Sequence, residues 1–116
     1  MINFLSCGFA YEKHVTGKYY VIGVDTKTDL TLSYKLSSGD CVGKAPGQLL
    51  QYGFNDTFLV AKTHDRRDNR VLYFIIDMTK DSEIAHEDKF RVGPLTEDRY
   101  NTDWKTRLNV QLQDAQ

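Results

Sequence analysis

The sequence predicts an α+β domain that is mainly antiparallel β, with six or seven short strands and one C-terminal amphipathic helix packed on the sheet. Val, Ile, Thr, Tyr, Phe and Trp together number 37 against five Ala, and such side chains favour a pleated, half-buried surface. Residues 30–36 alternate apolar and polar side chains, as a strand with one buried face does. A helical apolar stripe occurs only near the C-terminus, so the strand–helix–strand alternation of a parallel sheet is missing.

The first two predicted strands form an antiparallel hairpin. Residues 18–25 carry apolar side chains on both faces, and residues 30–36 place Leu30, Leu32, Tyr34 and Leu36 on one face. The segment between them, 25–29, is rich in Asp and Thr and is typical of a turn. Residues 11–18 are mostly polar and are interpreted as a lead-in.

Further short strands are predicted along the middle of the chain, at 41–43, 48–53, 57–63, Arg70–Asp77 and 90–92. The six central residues of Arg70–Asp77 are all apolar, which predicts a central strand that is covered on both faces. Residues 54–57 predict a tight turn because Asn and Asp tolerate left-handed backbone. Residues 64–69 predict a solvated hairpin loop, in which the acids offset the arginines.

The helix is predicted to begin after Thr96, whose hydroxyl can cap it. Tyr100, Trp104 and Leu108 recur every four residues, so we expect this stripe to pack against the sheet. The domain is predicted to span 11–112, followed by a frayed tail at 113–116. Residues 1–10 are interpreted as the remnant of a signal or lipobox, or as a frayed N-terminus.

Composition excludes several function classes. A chain of 116 residues forms one ordinary domain, and a net charge of -1 argues against nucleic acid as the main partner. The three histidines, His14, His64 and His86, stand apart, so no metal site and no cofactor are expected. Cys41, His64 and Asp77 supply the residue types of a cysteine hydrolase but no local signature, so no catalytic residue is assigned.

Charge is concentrated in residues 77–88, called the acidic segment below. It contains five acids and one base, a net charge of -4. A solvated loop is the plain interpretation of such a run. The alternative is a docking surface for a cationic protein such as a basic toxin or effector, because complementary charge accelerates association. Its partner-binding residues would be Asp77, Asp81, Glu83, Glu87 and Asp88.

The N-terminus bears on the compartment. Phe4, Leu5 and Ser6 precede Cys7 in the manner of a bacterial lipobox, which makes Cys7 a candidate for lipidation. In that case the protein would be anchored in the bacterial envelope through this lipid alone, and Cys41 would be a lone thiol. Without lipidation, an envelope location permits a Cys7–Cys41 bridge, and a cytoplasmic location remains the alternative.

Four stretches, 17–21, 52–62, 73–77 and 92–96, together with the lipobox-like residues before Cys7, resemble small bacterial lipoproteins and related domains of unknown function. The resemblance implies a strand pair joined by an Asn-Asp turn, a hydrophobic strand, a Gly-Pro-Leu linker and a terminal helix. It implies no catalysis. Similar small envelope proteins include immunity proteins that block toxins, an analogy at the level of the class.

Three functions are therefore carried forward. The first is a non-enzymatic protein-binding domain of the bacterial envelope, of the type of an immunity inhibitor. The second is a small enzyme or ligand carrier that uses a pocket between sheet and helix. The third is a structural component that assembles through an exposed sheet edge. Neither the strand order nor the oligomeric state follows from the sequence.

Overall fold

The computed structural model describes residues 11–23 and 29–116, and in these ranges the chain is mainly antiparallel β, with nine strands in two sheets. The first sheet has the strand order β1-β2-β3-β4, and the second has the order β8-β7-β6-β5-β9. The strands are β1 Tyr11–Thr16, β2 Tyr19–Gly23, β3 Leu30–Lys35, β4 Cys41–Ala45, β5 Gln48–Phe54, β6 Phe58–Asp65, β7 Arg70–Asp77, β8 Arg91–Leu95 and β9 Gln113–Asp114.

The first sheet contains one strand that the sequence interpretation missed. Residues 11–16 form β1 and pair with β2 across a turn at Gly17, so the interpretation of this segment as a lead-in is wrong. As an edge strand, β1 buries its side chains only in part, which lets polar residues form it. The predicted hairpin of β2 and β3 is confirmed. Most of the predicted turn at 25–29 lies outside the described residues.

The two sheets pack face to face. Their shared core combines residues of β2 and β3 with residues of β5, β6 and β7, among them Val21, Leu32, Tyr52, Leu59 and Phe74. The chain passes from one sheet to the other at Gly47, where φ is +93° and an added Cβ would lie 2.9 Å from the His64 carbonyl oxygen. Glycine therefore fits this crossing because a side chain would be strained and crowded.

The second sheet is covered on both faces. Along β7, Leu72, Phe74 and Ile76 face the first sheet, whereas Tyr73 and Ile75 belong to a second core on the opposite face. The prediction of a doubly covered central strand at Arg70–Asp77 is thus confirmed. The Asn-Asp turn before β6 is also confirmed, because Asn55 Oδ1 accepts hydrogen bonds from the backbone N–H groups of Thr57 and Phe58, at 2.9 and 2.7 Å.

The second core is completed by the C-terminal helical segment. It consists of α2 Glu97–Arg99, a π-helical turn Tyr100–Trp104 and α3 Lys105–Leu108. Thr96 caps it as predicted, since its Oγ1 accepts a hydrogen bond from Arg99 N at 3.2 Å. Tyr100 and Leu108 are buried against the sheet, whereas the π-helical turn leaves Trp104 half-buried. A separate short helix, α1 Glu87–Phe90, precedes β8.

The tail is ordered by the sheet. The sequence predicts fraying at 113–116, but Gln113–Asp114 forms β9 on the edge of β5, and Ala115 is 2% exposed. This correction has a tertiary cause. Pairing with the β5 edge satisfies backbone groups that an isolated polar tail would leave to water. Gly53 makes the approach possible, because a side chain there would collide with the Gln111 backbone.

Candidate functional site

The acidic segment begins with a turn at the end of β7. Asp77 Oδ1 accepts hydrogen bonds from the Thr79 backbone N–H at 3.0 Å and from the Thr79 hydroxyl at 2.6 Å. The Asp77 carbonyl accepts a further bond from Lys80 N at 3.0 Å. Asp77 therefore shapes the exit of the chain from the sheet, and its carboxylate is already engaged within the segment.

Asp81 is directed into the protein. Its side chain is fully buried and lies 2.9 Å from Nζ of Lys44, whose side chain is 4% exposed. The Tyr19 hydroxyl donates to Asp81 Oδ2 at 2.7 Å, and the Ser82 backbone N–H donates to Oδ1 at 2.8 Å. A buried ion pair is stable only when further hydrogen bonds satisfy it, and these contacts provide them. Asp81 thus ties the acidic segment to β2 and β4.

The environment of this ion pair is aromatic. Lys44 Nζ lies 4.9 Å from the centre of the Tyr34 ring and 4.4 Å from that of Phe90, distances at which a cation is attracted to a ring face. Burial, and after it the hydrogen bond to Asp81, raises the pKa of Tyr19 well above its ordinary value. Tyr19 therefore keeps its proton, and with it the hydrogen bond to Asp81, to a higher pH than an ordinary tyrosine would.

A second tether lies two residues further along. Glu83 accepts hydrogen bonds from the Ser37 backbone N–H at 3.0 Å and from the Ser37 hydroxyl at 3.1 Å. Ser37 belongs to the turn between β3 and β4, so this contact joins the acidic segment to a hairpin of the first sheet. Two successive anchors, Asp81 and Glu83, fix the backbone immediately before Ile84.

Ile84 follows these anchors and points into solvent. It is 94% exposed, far more than the other exposed large hydrophobic residues of the described ranges, which reach 42% at most. Its backbone N–H donates to Ser82 Oγ at 3.3 Å. An aliphatic side chain on an anchored loop tip has already lost much of its backbone freedom, which lowers the entropic cost of binding.

The end of the acidic segment forms the first turn of α1. Glu87 lies 3.4 Å from Arg91, and the same arginine donates to the Lys44 carbonyl at 3.0 Å. Asp88 is exposed, with a side chain 3.5 Å from His86. The structure therefore brings Lys44 and Arg91 to two of the five predicted partner-binding acids, so part of the local negative charge is compensated.

The structure places the five predicted partner-binding acids in different environments. Asp81 faces the core and cannot touch a partner, Asp77 is engaged at the strand end, and Glu87 is paired with Arg91. The sequence interpretation missed Ile84, which is the only large aliphatic residue between Met78 and Phe90. An apolar side chain isolated among charges was the signal that could have indicated it, because such a residue has no predicted core to join.

The alternative catalytic set is not assembled. His64 pairs with Val71 near one end of β7, whereas Asp77 lies at the other end, opposite Phe58. Six residues of strand separate the two positions, on the order of 20 Å at about 3.3 Å per residue. Cys41 begins β4 in the other sheet and is disulfide-bonded, so it offers no thiolate nucleophile.

The predicted solvated loop at 64–69 is an exposed hairpin turn. His64 Nε2 lies 2.9 Å from Asn69 Oδ1, and Asp65 Oδ1 accepts a hydrogen bond from Arg67 N at 3.0 Å. Among the described residues no group of three or more His, Cys, Asp or Glu side chains is arranged to hold a metal ion. These polar side chains are instead satisfied locally.

Two depressions lie on the helix-covered face of the second sheet. One, of about 600 Å³, runs beside the helical segment from Tyr73 and Glu97 to Asn101, Lys105 and Gln111. Tyr73 and Tyr100 stack beneath it with ring centres 4.3 Å apart, and burial followed by the neighbouring Glu97 carboxylate raises the pKa of Tyr73 to about 12. The other, of about 370 Å³, lies between β8 and Trp104.

The candidate lipidation site, Cys7, lies outside the described residues, as do all of residues 1–10, on which the lipobox interpretation depends. Across 11–23 and 29–116, no helix combines the length and the apolar character that crossing a bilayer requires.

Comparison with known proteins identifies no related protein. The chain matches no protein-family model, and neither a curated protein nor a solved structure is significantly similar to it. The resemblance to small bacterial lipoproteins and immunity proteins therefore stays a prediction.

Proposed function

We propose that the protein is a non-enzymatic binding domain that docks on another protein through Ile84 and its flanking acids. The single observation that carries the proposal is the 94% exposure of Ile84 immediately after two structural anchors, Asp81 and Glu83. Interfaces take most of their affinity from a few apolar or aromatic side chains that enter a pocket on the partner. The exposed acids Glu83 and Asp88, which precede and follow Ile84 in the sequence, would then form a polar rim.

The partner chemistry follows from this arrangement. It is a protein with an apolar pocket rimmed by basic side chains, which fits a basic toxin or effector of the kind that immunity proteins inhibit. Because Lys44 and Arg91 compensate two of the acids, the contact depends mainly on the apolar anchor and only secondarily on charge. Raising the salt concentration should therefore reduce the association rate more than it increases dissociation.

The proposed location is the bacterial envelope. Cys41 is disulfide-bonded, and such bonds persist mainly in oxidising compartments. The sequence has one other cysteine, Cys7. Lipidation of Cys7 and a Cys7–Cys41 bond would use the same sulfur, so the two modifications exclude each other. Mass spectrometry of the unreduced protein isolated from its host distinguishes a Cys7–Cys41 cross-linked peptide from a lipid-modified Cys7 peptide. Either result supports the envelope, whereas two unmodified free thiols would contradict this location.

The docking proposal is tested by capture from the native host with immobilised wild type and Ile84→Asp, at low and high salt. The matched control is Gln111→Glu, which adds one carboxylate at an exposed position beside β5, remote from the acidic segment. We expect a basic protein to bind the wild type and the control at both salt concentrations and to be lost with Ile84→Asp. Equal capture by all three, or no specific partner at either salt concentration, would refute the proposal.

A further inference from the structure

The groove between β8 and Trp104 is apolar at its floor. Phe58, Ile75, Val92 and Trp104 line it, and Val92 is 40% exposed on the edge strand of the second sheet. Ile75 is buried, but Trp104 and Phe58 are only half-buried, so the groove leaves apolar surface in contact with water. Exposed apolar surface of this kind, surrounded by polar residues, is typical of an interaction site.

The rim of the groove carries more positive than negative side chains, whereas Glu83, the residue before Ile84, is negative. Lys80, Lys89, Arg91 and Arg107 line it, against Asp77 and Asp88. Arg91 is paired with Glu87, and Lys80 lies 3.9 Å from Asp77. Lys89 and Arg107 are both exposed, and the Arg107 guanidinium lies 4.7 Å from the centre of the Trp104 ring. These two cations therefore stand beside the apolar floor and favour an acidic occupant.

We propose that the occupant is a second copy of this chain, whose Ile84 enters the groove while Glu83 faces the cationic rim. The same protein displays both complementary parts: an exposed aliphatic side chain preceded by an acid, and an apolar groove with excess positive charge. Ile84 does not fill the groove of its own chain, because Asp81 and Glu83 hold it outward and it is 94% exposed.

The expected assembly is a two-fold dimer. The acidic segment runs directly into α1 and β8, and residues 88–92 line the groove, so the tip and the groove are neighbours along the same stretch of chain. A two-fold axis would pair each Ile84 with the other chain's groove and close the assembly at two subunits. This inference shares Ile84 with the proposed function, so a protein partner would have to compete with self-association.

Analytical ultracentrifugation of the purified protein, from low micromolar to near millimolar concentration, tests the dimer. We expect the weight-average mass of the wild type to rise from the 13.4 kDa of a single chain toward twice that value. Ile84→Asp should raise the dimer dissociation constant at least tenfold, as should the double variant Lys89→Glu/Arg107→Glu. A wild type that stays monomeric throughout the range overturns the proposal.

Matched controls separate the groove from a general charge effect. Arg66→Glu/Arg67→Glu reverses the same number of charges in the exposed hairpin turn, at the opposite end of β7, and should dimerise like the wild type. Gln111→Glu should do so too. If the double variant in the groove does not fold by circular dichroism, Val92→Glu serves in its place. Dimerisation that none of the loop or groove variants weakens would also overturn the proposal.

Mixing the two impaired variants gives a complementation test. Ile84→Asp retains the groove, and Lys89→Glu/Arg107→Glu retains the Ile84 tip, so together they can form one of the two contacts. We expect the mixture to associate more strongly than either variant alone, and an absence of recovery contradicts a tip-in-groove contact. Partner capture distinguishes the two proposals, because the groove variant should lose self-association but keep any partner that docks on Ile84.

Discussion

The hairpin turn at 64–70 and the acidic segment at 77–88 lie at opposite ends of β7, and both are rich in charge. In the hairpin, Arg66 and Asp29 form an ion pair at 3.0 Å in which the two side chains are 66% and 58% exposed. In the acidic segment, Lys44 and Asp81 pair at 2.9 Å with side chains that are 4% and 0% exposed. One charge-rich segment is thus a solvated turn, whereas the other contributes an ion pair to the core.

The burial of one ion pair and the exposure of the other explain how a polar loop can present an apolar side chain. Exposed ion pairs contribute little because water already solvates both charges. The buried pair, in contrast, leaves an uncompensated charge in the core if the loop detaches, so it holds the loop in place. Removing the buried ion pair should therefore lower the free energy of unfolding more than removing the exposed one, and the variants below measure both losses.

The largest effect is expected at Asp81. Asp81→Ala leaves the Lys44 ammonium buried without its partner, and such losses cost about 3–5 kcal/mol of the free energy of unfolding. Urea denaturation should detect this directly. The double variant Lys44→Met/Asp81→Leu, which removes both charges, should recover most of the loss. A cost below about 1 kcal/mol for Asp81→Ala would show that the segment is not anchored through this pair.

Alkaline pH is expected to give the next largest loss of stability. The folded protein raises the pKa of Tyr19 and Tyr73 above the ordinary value of 10.0, to about 12 for Tyr73, so it holds their protons more tightly than the unfolded chain does. The resulting stability is complete below pH 10 and declines as pH rises through the folded values. For Tyr73 the loss is on the order of 2 kcal/mol.

Thermal melts between pH 9 and 12.5 check this, with Tyr73→Phe and Tyr19→Phe compared at each pH. Each variant should show a smaller decline above pH 10 than the wild type, because it lacks the group that ionises. Parallel curves for wild type and both variants would contradict the assignment of the alkaline loss to these tyrosines.

A smaller effect is expected in the hairpin turn. Arg66→Ala removes the exposed pair with Asp29 and should cost at most about 1 kcal/mol. Moderate salt should remove even this contribution, because the pair is open to solvent. Urea denaturation at low and high salt measures both statements. A loss comparable to that of Asp81→Ala would abolish the contrast between the two loops.

The smallest effect on stability is expected at Ile84 itself. Ile84→Asp should change the free energy of unfolding by no more than about 0.5 kcal/mol, because the side chain is 94% exposed. The same urea titration applies. A large destabilisation would mean that Ile84 serves the fold of the monomer, which would remove the basis for its role in docking.

Much of the sheet architecture was predictable from residue patterns. The alternation at Leu30–Lys35 and the apolar run at Arg70–Asp77 predicted a half-buried and a doubly covered strand, and both occur. The helix cap at Thr96 was predictable because N-capping is a local hydrogen bond, here from Arg99 N to Thr96 Oγ1. The strands β1 and β9 were missed, since edge strands need only one satisfied backbone side and little apolar surface.

The candidate site was less predictable. Its acids were found from charge, but nothing local distinguishes Asp81, which is buried, from Asp88, which is exposed. That distinction depends on Lys44, which lies 37 residues earlier in the chain and on the other sheet. A run of charged residues in a sequence gives only the net charge of that segment. Docking depends on which of those charges are accessible to a partner in the folded chain.

Periodicity and capping act over a few neighbouring residues, so residue patterns were enough to predict the antiparallel β class, the central strand and the capped helical segment. The order of the two sheets, the ordered tail, the burial of Asp81 against Lys44 and the exposure of Ile84 became visible only in the folded chain. These features arise where distant parts of the chain compete for the same core. Ile84 stays exposed to water because the residues before it, Asp81 and Glu83, hold the backbone in place by their own contacts.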